Sequence, residues 1–154
     1  MRILLATDGS KHSETAVEMV KNFIFPLLSE IKIVSVIDTV LPFTMDIYGS
    51  GYILPVKELE NVARQNALTV LENTKQKILE KFSAESVTVS TEVLIGSPES
   101  QIVEIAEKMH ADLIIVGSHG YNSWERLLLG SVSDSVVHHA PCSVLVVRTA
   151  KNKL

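Results

Sequence analysis

The sequence predicts an α/β fold, a single open five-stranded parallel sheet with helices on both faces, built as one unit over residues 1–154. Three observations predict it. Apolar runs of strand length alternate with segments of helical period in the order βαβαβαβαβ, the pattern of crossover connections in a parallel sheet. The runs at 113–116 and 144–147 are wholly apolar, as strands covered on both faces are. The chain has 154 residues and is 46% hydrophobic, enough to bury roughly two-thirds of the surface its unfolded form exposes.

Residues 3–7 read as the first strand. Ser10 is placed to N-cap a helix whose apolar face is Ala16, Val17, Val20, Phe23 and Ile24, ending near Pro26. The second strand is 31–37. Residues 38–57 have neither helical nor strand period, carry Pro42, Pro55, Gly49 and Gly51, and hold Phe43, Tyr48 and Tyr52. Such a loop at the end of a strand reads equally as an ordered surface segment and as a lid or partner surface over the carboxyl edge of the sheet. A long amphipathic helix follows at about 58–82, with apolar positions Leu59, Val62, Ala63, Ala67, Val70, Leu71, Ile78 and Leu79 and one polar intrusion at Asn66. Val87, Val89, Thr91, Val93 and Ile95 alternate with polar residues, so the third strand has a wetter face and suits a sheet edge. Ser97 and Pro98 open a helix as N-cap and first-turn proline, with Ile102, Ile105, Ala106 and Met109 inside. The fourth strand, a helix with Val132, Val136 and Val137, and the fifth strand complete the series.

Composition removes several function classes. A net charge of −4 without any Lys/Arg run argues against a nucleic-acid or anionic-membrane surface. Cys142 is the only cysteine, so no intrachain disulfide forms, and its apolar neighbours suit a small core residue. The opening MRILLATDGS is too short for the apolar region of a signal peptide and nothing approaches a membrane span, which makes a cytoplasmic location the expectation.

Chemistry concentrates in GSHGYNSWERLLLGSVSDSVV, where Gly117, two residues, Gly120, nine residues and Gly130-Ser131 join a buried strand to a helix. Such a loop lets backbone N–H groups converge on an anion, and the helix adds its own unpaired N–H groups and positive dipole end. Phosphate is the expected ligand. No G-x-x-x-x-G-K-[ST] is present, and Arg126 is the only cation within 117–131, so a triphosphate needs Mg²⁺ or Mn²⁺. Gly9 does not continue into G-x-G-x-x-G, which removes the dinucleotide fingerprint. His119 is a tempting base but has no evident orienting carboxylate. The neighbours His138 and His139 diverge by about 100 degrees on a helix and do not readily chelate one ion, and with His110 they read as surface or core residues.

These residues resemble the universal stress protein family, specifically its ATP-binding branch. The resemblance rests on the opening strand with Asp8-Gly9-Ser10, Val36-Ile37-Asp38, Gly96-Ser97-Pro98, ADLIIVGSHG at 111–120, Gly130-Ser131 and PCSVLVV at 141–147, and it covers essentially the whole chain. It implies a Rossmann-like sheet of the adenine-nucleotide alpha-hydrolase type. It assigns nucleotide contact to Thr7, Asp8, Val36, Val116, Gly117, Ser118, His119, Gly120, Gly130, Ser131 and Val132. Within that set Asp8 would accept ribose hydroxyls, Val36 would offer its backbone to adenine, and the glycines with Ser131 and Val132 would cradle the phosphates. A local role competes for Asp8, as an Asx-turn or helix cap.

The preferred functional expectation is a stress-response or regulatory module that binds ATP with Mg²⁺ or Mn²⁺, changes its surface or partner choice with occupancy, and hydrolyses slowly if at all. The alternative is an ATPase or nucleotidyl-transfer enzyme on another substrate. An apolar strand over 143–147 at the end of the series is exposed to pairing, and the resemblance implies an antiparallel homodimer there, unless residues 149–154 or a helix cover it.

Overall fold

The computed structural model describes residues 1–38, 56–83, 86–119 and 129–148. In chain order its elements are β1 Arg2–Ala6, α1 Lys11–Val20, β2 Ser29–Ile37, α2 Val56–Leu79, β3 Val87–Ile95, α3 Pro98–Lys108, β4 Leu113–Gly117, α4 Ser131–His139 and β5 Ser143–Val147. All five strands run parallel, in the order β3-β2-β1-β4-β5. The expected α/β class and edge position of the third strand are therefore observed.

Alternation along β1 divides the core. Ile3 and Leu5 pack with Ala16, Val17 and Val20 of α1 and Leu71 and Ile78 of α2 on one face. Leu4 packs on the other with Val34, Ile114, Ile102 and Ala106 of α3 and Val136 of α4. Successive strand side chains point to opposite faces, so a strand whose residues after Arg2 are all apolar needs helices on both. The chain leaves β1 toward β2 on one side and returns to β4 on the other, which opens a crevice at the carboxyl ends of β1 and β4.

Helix α1 is shorter than its sequence suggests. Asn22 N–H donates to the Met19 carbonyl and Phe23 N–H to that of Val20, so the chain tightens into i,i+3 bonds and turns away from the core. Phe23 and Ile24 lie past the helix, and Ile24 is 97% exposed. In α2 the buried stripe is Ala67, Leu71, Thr74 and Ile78, narrower than the apolar pattern, and Val62 is 58% exposed. Asn66 is exposed and does not interrupt that stripe. Thr74 takes a core position that a reading by hydrophobicity passes over. Phe82 lies beyond the helix and packs against the first core face. Of the expected loop over 38–57, residues 39–55 lie outside the described residues, as do Gly120, Arg126 and the segment 149–154. No helix among the described residues is long and apolar enough to cross a membrane.

Leu4→Ala, at a side chain with no exposed surface, is expected to cost about 2–5 kcal/mol, whereas Ile24→Ser should stay within about 0.5 kcal/mol. Chemical denaturation of both variants checks the contrast; equal losses would mean that residue 24 packs in solution.

Candidate functional site

A cleft of about 470 Å³ opens at the carboxyl ends of β1, β2 and β4, at the topological switch point. Its composition changes across the sheet. Val34 and Val36 of β2 with Pro98 and Ile102 of α3 form an apolar side. Thr7, Asp8 and Ser13 line it beside β1, the middle strand. Val116, Gly117 and His119 from β4 and the residue after it, with Gly130, Ser131, Val132 and Ser133 at the start of α4, line the remainder.

Of the residues expected at a site, Thr7, Asp8, Val36, Val116, Gly117, His119, Gly130, Ser131 and Val132 are brought together here. Ser118 sits buried beside them rather than on the wall, and Gly120 lies outside the described residues. Residues that sequence reasoning did not assign also line the cleft, among them Ser13, Asp38, Pro98, Ile102 and Ser133. Ser133 carried a signal, three positions after Gly130 on the first turn of a helix. Ile102 carried none, because it reads as ordinary core.

The junction of β4 with α4 depends on close backbone approach. A Cβ on Gly117 would stand 2.8 Å from the His12 carbonyl carbon and 2.9 Å from the Ser13 nitrogen, so the start of α1 lies directly on this glycine. Gly130 has φ −65°, open to any residue, and a Cβ there would meet the Ser118 oxygen at 3.2 Å and the His119 Cα at 3.3 Å. Proximity, not a left-handed conformation, is what favours glycine at 130. The Ser118 carbonyl accepts from Gly130 N–H at 2.8 Å and from the Ser133 hydroxyl at 3.0 Å, while Ser118 N–H donates to the Val147 carbonyl at 2.8 Å.

The helix N-termini beside the cleft differ. At α1 the Ser10 hydroxyl accepts from Ser13 N–H at 3.3 Å, and Asp8 Oδ1 accepts from Ser10 N–H at 2.9 Å. Gly9, with φ 76°, makes the turn between them. The Asx-turn expected as the local role of Asp8 is therefore present, engaging one of its two oxygens. At α4 the N-cap is Gly130, which supplies no side-chain cap, so the first N–H groups of that helix keep their capacity to donate. The Ser97 hydroxyl likewise makes no cap bond to a backbone N–H of α3; instead it holds the Glu99 carboxyl below the ordinary carboxylate range.

A register detail bears on Val36. The β1–β2 ladder ends at Ala6 opposite Val34, and Thr7 N–H donates to the Val34 carbonyl at 2.9 Å. In a parallel strand alternate residues direct both backbone groups to the same side. Val36 therefore faces the β1 side beyond the last ladder pair, on the apolar wall of the cleft.

The described lining contains two carboxylates, Asp8 and Asp38, one histidine, His119, and no Lys or Arg. No group of three or more His, Cys, Asp or Glu among the described residues is arranged to hold a metal ion. His138 and His139 are exposed and each places Nδ1 at 2.8 Å from the carbonyl four residues earlier. Cys142 is partly buried against the second core face; desolvation first and the Asp112 carboxylate second push its thiol up, which keeps it protonated and unreactive.

The sequence pattern of the universal stress protein family matches residues 1–148. The chain belongs to that family. Universal stress protein MJ0531 of Methanocaldococcus jannaschii is 37% identical over 152 residues, 99% of this chain and 84% of that protein. Among solved structures, hypothetical protein MJ0577 is 30% identical with a TM-score of 0.72, over 98% of this chain and 97% of that one. A universal stress protein family member from Arabidopsis thaliana, solved with AMP bound, shares the fold at TM-score 0.69 and 18% identity, over 99% of this chain and 94% of that one.

Gly117→Ala is expected to destabilise this universal stress protein by about 1–3 kcal/mol, because the atoms its Cβ meets are helix backbone that moves only with all of α1. Thermal or denaturant unfolding measures the loss; an unchanged midpoint would mean that α1 sits farther from β4 than described.

Proposed function

We propose that this protein binds ATP in the cleft, together with Mg²⁺ or Mn²⁺, and acts as a regulatory module whose occupancy alters its surface or its partners, with slow or no hydrolysis. The observation that carries the reading is the uncapped N-terminus of α4 beside Gly117 and Gly130, on the β4 side of a cleft whose β2 side is apolar. In that arrangement adenine lies against Val34, Val36, Pro98 and Ile102, pairing with the backbone of Val36 past the end of the ladder. The ribose meets Asp8 through the oxygen not engaged in the Asx-turn. The phosphates take the N–H groups of Ser131 and Val132 and the Ser131 hydroxyl. The AMP held by the Arabidopsis member of the fold supports an adenine nucleotide as the ligand class.

A hard divalent ion fits this donor set. Asp8, Asp38 and the Ser131 hydroxyl are oxygen ligands too few for a protein cage, and Mg²⁺ typically keeps waters and shares substrate phosphates with one or two carboxylates. The ion would offset phosphate charge in a cleft with no lysine or arginine in its described lining. Rapid phosphoryl transfer asks for more, namely concentrated positive charge and a positioned water or base. His119 Nδ1 is 3.1 Å from the Ser118 hydroxyl, not from a carboxylate.

A homodimer through β5 completes the proposal, with the protein acting in the cytoplasm. β5 lies at the sheet edge, and Val144, Leu145 and Val146 are half-buried without a partner strand on the outer side among the described residues. An apolar edge of this kind favours pairing with a second copy about a twofold axis.

Gly130→Val should abolish ATP binding in calorimetry while leaving the circular dichroism spectrum unchanged; full affinity in a folded variant would refute the cradle. Mass spectrometry of the purified protein should find intact ATP, and recovery of only hydrolysed product would favour an ATPase. Val146→Pro removes a backbone donor from the edge and should yield monomers or aggregates. Light scattering that finds the unmodified protein monomeric at high micromolar concentration would dispose of the dimer.

A further inference from the structure

Three hydroxyl side chains at the junction of β1 with α1 are buried and bonded to one another. Thr7, Ser10 and Ser13 are each at most 5% exposed, although Thr7 and Ser13 line the cleft. The Ser13 hydroxyl donates to the Ser10 carbonyl at 3.0 Å, so it meets Thr7 as an acceptor, and the Thr7 hydroxyl donates to it at 3.1 Å. Thr7 Oγ1 in turn accepts from Gly9 N–H at 3.3 Å. Both hydroxyl hydrogens are therefore engaged inside the protein, and neither side chain has one left to donate to a ligand. Asp8, which follows Thr7 and lines the same wall, is exposed.

We propose that Ser13 is the positioning residue of the ribose subsite: its hydroxyl ties the end of β1 to the first turn of α1 and so holds the Asp8 carboxylate where it accepts from the hydroxyls of a ribonucleoside. This rests on the nucleotide-binding reading and adds to it a residue that acts through Asp8 rather than on the ligand. Asp8 Oδ1 accepts from Ser10 N–H, so the direction of the carboxylate follows from where Ser10 sits relative to the strand. The strand end is held by the sheet, since Thr7 N–H donates to the Val34 carbonyl at 2.9 Å. The first turn of α1 is held by its own bonds, from Ser13 N–H to the Ser10 hydroxyl and from Glu14 N–H to the Ser10 carbonyl. Asp8 and Gly9 join these two bodies, and glycine is the most permissive of residues. The Thr7–Ser13 bond closes the span. A carboxylate held in place before the ligand arrives loses little freedom on binding, which leaves more of its hydrogen-bond energy as affinity.

Removing the Ser13 hydroxyl leaves each of its partners with a hydrogen bond. The Ser10 carbonyl still accepts from Glu14 N–H, Thr7 Oγ1 still accepts from Gly9 N–H, and Ser13 N–H keeps the Ser10 hydroxyl as its cap. Alanine is also the better helix former. Ser13→Ala therefore deletes the tie and retains the fold. A serine that served stability alone would, on removal, weaken all nucleotides alike or none. A positioning serine weakens those that carry the ribose hydroxyls.

The test is calorimetric titration of the full chain with ATP and with dideoxy-ATP, which lacks both ribose hydroxyls, each with Mg²⁺, for the unmodified protein and for Ser13→Ala, Thr7→Val and the double variant. The unmodified protein should bind ATP more tightly than the dideoxy analogue. Ser13→Ala should lower that ratio about three- to tenfold, the scale of one net hydrogen bond, with the affinity for dideoxy-ATP unchanged. Because the two hydroxyls act through one bond, the double variant should lose no more than the larger single loss. Should circular dichroism find Ser13→Ala unfolded, Ser13→Cys, whose thiol is a weak donor and acceptor, carries the same comparison. An unchanged ratio in a folded Ser13 variant, an equal loss for both nucleotides, or additive losses in the double variant would overturn the inference while leaving ATP binding intact. Equal affinity of the unmodified protein for the two nucleotides would do the same. Failure of the folded protein to bind either one would overturn the binding proposal and this one with it.

Discussion

The carbonyl oxygen of Ser118 is the point on which the site depends. It accepts from Gly130 N–H and from the Ser133 hydroxyl, and the same peptide segment is tied to β5 through the bond from Ser118 N–H to Val147. The end of β4 and the residue before α4 are thereby held together. The N-terminus of α4 then stands in fixed relation to the end of β4. A buried carbonyl satisfied twice and a hydroxyl spanning two carbonyls make a junction whose members are costly to remove singly.

Glycine at 117 and 130 follows from that closure. Both positions are occupied by backbone contact, from α1 at the first and from the loop base at the second, so a side chain at either would push apart the elements that define the cleft. The same closeness leaves α4 without a side-chain cap. Stability and ligand readiness are opposed here: a serine or aspartate at 130 would cap the helix and would also fill the approach to its N–H groups. At α1, where Ser10 and Asp8 satisfy the first turn, the opposite choice is made. Two helix N-termini beside one crevice thus differ in availability because of the residues placed immediately before them.

Much of this was legible in the sequence. Strand and helix order followed from periodicity because each strand of the sheet interior is covered on both faces and each helix on one, and those two conditions write different patterns. The glycine spacing located the close-packed junction of β4 and α4 beside the cleft, because close approach demands a specific residue type. What periodicity did not reveal were features set by tertiary contact. The tight turn after Val20 left Ile24 in solvent although it continued the apolar face of α1, and Thr74 occupied a core position that hydrophobicity alone would have given to a larger apolar residue. Ile102 and Val34 looked like core and are core, yet their ends also form the apolar wall of the cleft. A residue with two environments carries no signature of the second.

His12 belongs to the same class and shows why. In the sequence it is a polar residue on the first turn of a helix, separated by more than a hundred positions from His119. Its proximity to that ring is produced entirely by the parallel β1–β4 pairing and by the absence of a side chain at Gly117, which lets α1 descend onto the end of β4. A larger residue at 117 would lift the helix and separate the rings. The glycine at the end of β4 therefore has a second consequence: it sets how closely the two rings approach.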